Sequence, residues 1–598
     1  MGEDKTMIKK IPYGISDYEK IINEGFYYVD KTPYLEAIEN AGQYLFFIRP
    51  RRFGKSLFLS LMETYYDVAR KERFDDFFKN TYIQENPTEE KNCYLILKFN
   101  FSTISPQSEH MEASFLNNIK TVAYSFFKKY KSYLSPPTQE ERWDELNALD
   151  SPSDILFRLL NLCQAAEQKL YVVIDEYDNF ANSILATDGQ DNYKRLTHGD
   201  GFFRQFFKIL KSGTTGSDAP ISRLFITGVS PITLDDVTSG FNIGKNISLD
   251  MAFNEMLGFR HEDVVAMIDY YRTKGKILDD TNKIMQLMER WYGNYRFAGE
   301  ASLPLMNSDM VLYFLDEYFR AGKIPEDLID RNVRIDYSKL RHLIIIDQKG
   351  EKTTNGNFSR LREIIEKGEI VSKINRGFPL EEMESSENFI SLLFYFGLLT
   401  LKGKREGLSL LTIPNQVVRS LYYDYIIRVS QETGLMDVNI ATIGSLLHRM
   451  AYHGEWRAFF EYLSTQLSAS TSIRDYFREE KVIQGFLLAF LGISDYFIVY
   501  SEKELNKGYA DIVMEPFLAG YQGIRYSYIL EIKFIPHNPK NSPQTIENKI
   551  NQLLLESQNQ LSKYSQDPNL KKALGSTQLI KLTTIFQGSE LKLVKAVD

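Results

Sequence analysis

Tyr44-Leu45-Phe46-Phe47-Ile48-Arg49-Pro50-Arg51-Arg52-Phe53-Gly54-Lys55-Ser56, running on into Leu57–Ala69, is the stretch on which the reading of this chain turns. Tyr44–Ile48 is a short apolar run bounded by polar and turn residues, the pattern of a buried strand. The residues after Ser56 have helical character, so strand, loop and helix follow one another as a phosphate-binding loop requires. In that context Lys55 reaches the β- and γ-phosphates of a nucleotide and Ser56 places its hydroxyl on Mg²⁺. Backbone N–H groups at Gly54 and the helix start hold the phosphates with the help of the helix dipole. One position departs from the pattern. Arg49 stands where the first glycine belongs, and Pro50 pushes its backbone toward extended conformations, so the loop must be built differently. Arg49, Arg51 and Arg52 either add phosphate contacts or form a solvated basic surface.

Further along, Leu170–Ile174 is a second apolar run, and it delivers two carboxylates, Asp175 and Glu176, at its end. That is Walker B logic: Asp175 holds Mg²⁺ through water, and Glu176 orients and deprotonates the attacking water. A third run, Leu224–Ile226, ends in Thr227-Gly228-Val229-Ser230, where the Thr227 hydroxyl is placed to sense a γ-phosphate. With Leu95–Phe99, these runs alternate with amphipathic stretches, which predicts an α/β fold with a parallel sheet.

The remaining organisation follows from pattern and bulk numbers. A chain of 598 residues exceeds what one core supports, so three or four domains are expected. Residues 1–254 read as the P-loop core with an N-terminal strap, and 255–323 as a helical lid. Residues 324–430 read as a winged-helix-like module with a hairpin at Gly397–Ile413, and 431–598 as a helical lead-in with a terminal α/β domain. The composition, 43% hydrophobic and 25% charged, is that of a globular protein, not a disordered one. Two cysteines, Cys93 and Cys163, exclude a disulfide framework and a cysteine-built zinc site. A charged beginning at Met1–Lys10 and the lack of any apolar run near the ~18 residues of a membrane span predict a cytoplasmic protein without membrane contact. Met1–Thr6 fits the loose myristoylation pattern, but no polybasic stretch follows it. The formal net charge of −8 means that any contact with nucleic acid relies on local patches.

The chain resembles a known family, the AAA-ATPase-like proteins that carry a C-terminal PD-(D/E)XK nuclease domain and abound in gut bacteria. The resemblance rests on Pro12–Tyr18, on Tyr28-Val29-Asp30-Lys31-Thr32, and on Arg49–Ser56. It extends to Asp175-Glu176-Tyr177-Asp178 and to Trp291–Phe297, and covers nearly the full length. The family shows the same Arg-Pro-Arg-Arg-Phe-Gly-Lys-Ser string, so the missing glycine is a family trait. It implies ATP and Mg²⁺ as cofactors and a restriction-endonuclease-like fold at the C-terminus. It assigns no role to Asp30-Lys31-Thr32, which read as a strap capping the sheet edge. Arg296 reads either as a sensor or as a core-pinning arginine.

Phosphodiester cleavage by this class needs neighbouring carboxylate ligands and a lysine beside the scissile phosphate. Asp511 opens the apolar run Ile512–Met514, and Glu531 and Lys533 share one face of the strand Tyr528–Phe534 because side chains alternate. Similarity to the superfamily adds Glu480, or its neighbour Glu479, as a third metal ligand, and Gln560 and Tyr564 as a trailing motif one helical turn apart. Many relatives carry Gly-Arg-x-Asp where this chain has Gly508-Tyr509-Ala510-Asp511, so a basic residue is absent there. The expected function is an ATP-binding and ATP-hydrolysing protein coupled to a Mg²⁺-dependent nuclease, with DNA as the expected partner and homo-oligomerisation left open. The alternative is a nucleotide-gated binding or signalling protein whose nuclease fold is inactive.

Overall fold

The computed structural model describes residues 8–105, 108–134, 139–179, 201–232, 242–330, 332–333, 356–379, 382, 385–432, 439–469, 480–536, 542–588 and 590–597. Met1–Thr6 and Glu479 lie outside them. The chain divides into two compact units. The first holds residues 1–323, 330–353 and 371–414, and the second holds 324–329, 354–370 and 415–598. The stretch 324–430 is therefore shared out between the two units.

The first unit is built on a five-stranded sheet of β1 (Tyr44–Ile48), β2 (Leu95–Asn100), β3 (Leu170–Asp175), β4 (Ile221–Gly228) and β5 (Lys245–Asn246), in the order β2-β3-β4-β1-β5. Every pairing is parallel. All six residues of β3 are buried, as expected of a parallel strand covered on both faces. The predicted α/β parallel sheet is thus present. Helix α1 (Lys55–Tyr66) follows β1 and buries Phe58, Leu59, Leu61, Met62, Tyr65 and Tyr66. Three helices, α2 (His261–Thr273), α3 (Thr281–Tyr292) and α4 (Ser308–Ala321), make up the stretch expected to form a lid. Asp280 and Asn307 cap α3 and α4 by accepting backbone N–H bonds.

A three-stranded sheet, β6 (Glu369–Ser372), β7 (Thr400–Arg405) and β8 (Leu408–Thr412), runs in the order β6-β8-β7. Its β7–β8 hairpin is the one expected from the sequence. Glu406 and Gly407 have φ of 53° and 81°, the two left-handed residues of a tight turn between twisted strands.

The second unit carries a mixed five-stranded sheet in the order β13-β12-β11-β10-β9, with β9 (Phe497–Leu505), β10 (Gly508–Pro516), β11 (Tyr526–Ile535), β12 (Gln578–Gln587) and β13 (Glu590–Val597). Only β11 and β12 run parallel; the other pairs are antiparallel. Helix α5 (Glu480–Leu491) precedes the sheet, and α6 (Pro543–Tyr564) makes the crossover that a parallel pair requires. Leu561 and Tyr564 of α6 pack with Leu505, Val513 and Ile529 in one buried cluster.

Candidate functional sites

Arg49 turns away from the phosphate loop and into the core. Its side chain is 1% exposed, and its guanidinium lies 4.3 Å and 4.4 Å from the ring centres of Phe47 and Phe297. It donates to the carbonyls of Ile48, Ser248 and Phe253. Both sequence readings of Arg49, as a phosphate contact and as solvated surface, are corrected by this: the side chain pins β1 to the chain after β5. Curvature without the first glycine comes instead from Arg52 and Gly54, both left-handed with φ of 68° and 95°. A left-handed non-glycine residue costs on the order of 1 kcal/mol or more and persists when its surroundings hold it. Arg52 is held by Asp309 of α4 at 2.7 Å and by Asp330 at 3.2 Å.

Lys55 folds back onto the loop, donating to the carbonyls of Arg49 and Pro50 at 3.0 Å and 2.9 Å. Burial pushes its pKa down to about 8, against the pull of the Asp175, Asp178 and Glu176 carboxylates. Ser56 donates its hydroxyl to Asp175 Oδ2 at 2.8 Å. This brings together the two residues that sequence placed 119 positions apart. Asp175 is 1% exposed, and its Oδ1 has no hydrogen-bond partner. A buried acceptor without a donor is costly unless something positive belongs there, so Asp175 and Ser56 fit a divalent cation with oxygen ligands. Glu176 takes a left-handed φ of 51°. Burial first, and then the Asp175 charge, raises its carboxyl pKa.

Thr227 does not join this group. Its hydroxyl donates to the Phe47 carbonyl at 2.7 Å, and it is 1% exposed inside the sheet. The reading of Thr227 as a γ-phosphate sensor is therefore corrected to that of a strand-to-strand tie. Two residues quoted in the motif without a role acquire one. Asp178 accepts the backbone N–H groups of Val229 and Ser230, and Tyr177 donates to the Ser230 carbonyl, clamping the chain after β4. A Cβ at Gly228 would lie 2.3 Å from Asp178 Oδ1, so glycine is required there.

Beside the loop lies a cavity of about 570 Å³ whose walls include Arg51, Arg52, Gly54, Lys55, Ser56 and Glu176. Cofactor clefts commonly span about 300–1,000 Å³, so a nucleotide fits by size. Lys31, from the strap motif, also lines it, and the sequence reading missed this contribution. Arg296 is not among the lining residues; its backbone instead pairs with Thr400 and Leu401 at β7.

The second site lies where β10 and β11 meet. The strands pair through Ile512–Leu530, which sets Asp511 beside Glu531. Asp511 Oδ2 accepts the Ile532 backbone N–H at 2.7 Å, and its carbonyl accepts Gln484 of α5 at 2.8 Å. Lys533 donates to Glu531 Oε1 at 2.9 Å, so the two share a face as alternation predicts. Glu531 is 2% exposed and its Oε2 has no partner.

Electrostatics tie the group together. Burial, then the Asp511 charge, pushes the Glu531 carboxyl up to about 7, although Lys533 pulls it down. Burial likewise raises Asp511. Glu480, the first residue of α5, is raised by burial and then by Asp511. Burial alone would lower Lys533, but Glu531, Asp511 and Glu480 together raise it. Burial and then the Glu531 charge raise Tyr564, so the tyrosine of the trailing motif feels the same group. Tyr564 also fills the space where a Cβ at Gly508 would sit, 2.6 Å away. Tyr509, in place of the relatives' basic residue, is 61% exposed. Among the described residues no three acidic, histidine or cysteine side chains form a ready-made metal cage. The oxygen-only donor set and the unpartnered Glu531 oxygen suit a hard cation such as Mg²⁺ or Mn²⁺.

Two segments of the chain match family models. Residues 12–238 match the family described as predicted AAA-ATPase, and residues 478–596 match the PD-(D/E)XK nuclease superfamily. An "uncharacterized protein in vnfD 5′ region" of Azotobacter chroococcum mcd 1 is 25% identical over 320 residues, 52% of this chain and 53% of that protein. The chain thus spans about half the length of the curated relative it matches. A solved structure of the Aeropyrum pernix ORC2 protein, in ADPNP and ADP complexes, aligns at 12% identity over 66% of this chain and 93% of its own, with a TM-score of 0.25. No helix among the described residues is long and apolar enough to cross a membrane. The Lys55–Ser56–Asp175 cluster falls within the first matched segment and the Asp511–Glu531–Lys533 cluster within the second, so the chain carries a predicted AAA-ATPase domain over residues 12–238 and a PD-(D/E)XK nuclease superfamily domain over residues 478–596.

Proposed function

We propose that the first unit binds and hydrolyses ATP with Mg²⁺ and that the second is a divalent-cation-dependent phosphodiesterase acting on nucleic acid, DNA foremost. One kind of observation carries both halves. Each site holds a buried carboxylate oxygen with no partner, Asp175 Oδ1 beside Ser56 and Glu531 Oε2 beside Lys533. Structures keep such groups where an ion or substrate completes them.

In the first unit Lys55 exchanges its two loop carbonyls for the β- and γ-phosphates, and Ser56 and Asp175 hold the cation. Glu176, with its raised pKa, orients the attacking water and takes its proton. The helices of residues 255–323 close over the nucleotide. In the second unit Asp511 and Glu531, with Glu480, hold the cation, and Lys533 aligns water or phosphate beside the scissile bond. A divalent cation there supplies Lewis-acid polarisation of the phosphoryl oxygen and a more acidic water.

The gated-binding alternative draws on one observation, the lack of a preformed three-carboxylate cage among the described residues. ATP turnover by purified protein tests the first half. Lys55→Ala should abolish nucleotide binding, whereas Glu176→Gln should bind and fail to hydrolyse. Equal turnover by wild type and both variants would refute the assignment.

A further inference from the structure

The motif Asp30-Lys31-Thr32 divides its labour in the structure. Asp30 accepts the backbone N–H groups of Thr32 at 2.9 Å and Tyr82 at 2.8 Å, and Thr32 Oγ1 accepts that of Ile83 at 3.1 Å. Both flanking side chains are thereby spent on tying the strap to the short helix Tyr82–Glu85. Lys31 points the other way. Its side chain is 12% exposed, it donates to the Glu255 carbonyl at 3.1 Å, and it stands 3.6 Å from Asp263 of α2. It is also a wall of the cavity that holds the phosphate loop.

The cavity is lined by two chemically distinct sets of residues. Arg51, Lys55, Ser56 and Glu176 are the polar set from the phosphate loop and the end of β3, while strap residues Ile15, Tyr27 and Val29 and lid residues Met256, Leu257 and Phe259 are apolar or aromatic. Lys31 belongs to the same strap segment as Tyr27 and Val29, and its carbonyl partner, Glu255, immediately precedes Met256 in the chain. A nucleotide whose phosphates meet Lys55 must put its base somewhere in this volume, and a flat apolar ring suits the strap and lid side chains. An ammonium has three N–H donors, and Glu255 and Asp263 account for two. Burial lowers the Lys31 pKa, so keeping a lysine here costs stability that an apolar strap residue would not.

We propose that Lys31 reads the base of the bound nucleotide, donating its remaining N–H to a ring nitrogen of adenine between the strap and the lid. The inference rests on the ATP reading of the first unit. Lys31 acts by contact with the ligand, while Asp263 and the Glu255 carbonyl hold it in position.

The test is a binding series on the full-length protein with Mg²⁺, using ATP, 1-deaza-, 3-deaza- and 7-deaza-ATP, and inorganic tripolyphosphate. A hydrogen bond from a charged donor predicts that one deaza analogue binds wild type about ten- to hundredfold more weakly than ATP. Lys31→Met should weaken ATP by a similar factor, abolish the difference between ATP and that analogue, and leave tripolyphosphate unchanged. Asp263→Asn separates reading from clasping: it should keep the analogue penalty, whereas a merely structural Lys31 would make it behave like Lys31→Met. Wild-type binding of all three analogues as tightly as ATP overturns the proposal without any variant having to fold. So does a loss of tripolyphosphate binding in Lys31→Met equal to its loss of ATP binding, which would make Lys31 a phosphate ligand. If wild type binds neither ATP nor tripolyphosphate, the nucleotide reading itself falls, and this inference with it.

Discussion

Replacing Glu531 by Gln should stabilise the metal-free protein at neutral and alkaline pH. Glu531 is 2% exposed, and burial together with the neighbouring Asp511 charge pushes its carboxyl from 4.5 up to about 7. The folded pKa lies above the unfolded one. The folded chain therefore keeps a proton that the unfolded chain has released between about pH 4.5 and 7, and stability falls as pH rises through that window. Below the window the contribution is intact, and above it the full cost remains. At about 1.4 kcal/mol per pH unit the upper bound is roughly 3.5 kcal/mol, and because Asp511 and Lys533 titrate with Glu531 we expect about 1–3 kcal/mol. Glutamine resembles the neutral acid and avoids that cost. Thermal unfolding of both proteins in EDTA, at pH 5 and pH 8, measures it. The second unit's transition should rise by about 2–10 °C in the variant at pH 8 and by only about a quarter as much at pH 5, near the foot of the window. Added Mg²⁺ or Mn²⁺ should stabilise wild type and not the variant, since a ligand that binds only the folded state stabilises it. A metal-free wild type more stable than Glu531→Gln at pH 8 would refute the reasoning.

Two further outcomes follow. Arg49→Met should cost about 2–4 kcal/mol, because the carbonyls of Ser248 and Phe253 lose their donor in the core; chemical denaturation of the first unit checks this, and a loss under about 1 kcal/mol contradicts it. If the two units are coupled, saturating DNA should tighten labelled ATP by roughly 5–150-fold in a cleavage-dead Glu531→Ala background, and identical affinities with and without DNA would show them to be independent.

The elements were legible in the sequence where local pattern and tertiary demand agree. Tyr44–Ile48, Leu170–Ile174 and Leu224–Ile226 are apolar because both faces of a parallel strand are covered, and each lies inside a strand of the first sheet. The Glu531–Lys533 pair was legible because strand alternation alone puts both on one face. What failed was the direction of a side chain whose neighbours come from distant sequence. Arg49 is charged and next to a phosphate loop, yet Phe297, Ser248 and Phe253 make it a core residue. Thr227 sits at a strand end that suits a sensor, yet the register with β1 hands its hydroxyl to Phe47. Lys31 was missed for the same reason, since Glu255 and Asp263 lie more than 220 residues away.

Cleavage of nucleic acid in the presence and absence of divalent cation tests the central claim most directly. Purified protein incubated with plasmid and single-stranded DNA, with and without Mg²⁺ or Mn²⁺ and ATP, should cut at least one substrate only when the cation is present. Glu531→Ala and Lys533→Ala should abolish cutting while retaining the fold, and Asp511→Asn should weaken the response to metal. Wild-type protein that leaves every substrate intact under all these conditions, or cutting that survives in Glu531→Ala, would contradict the account.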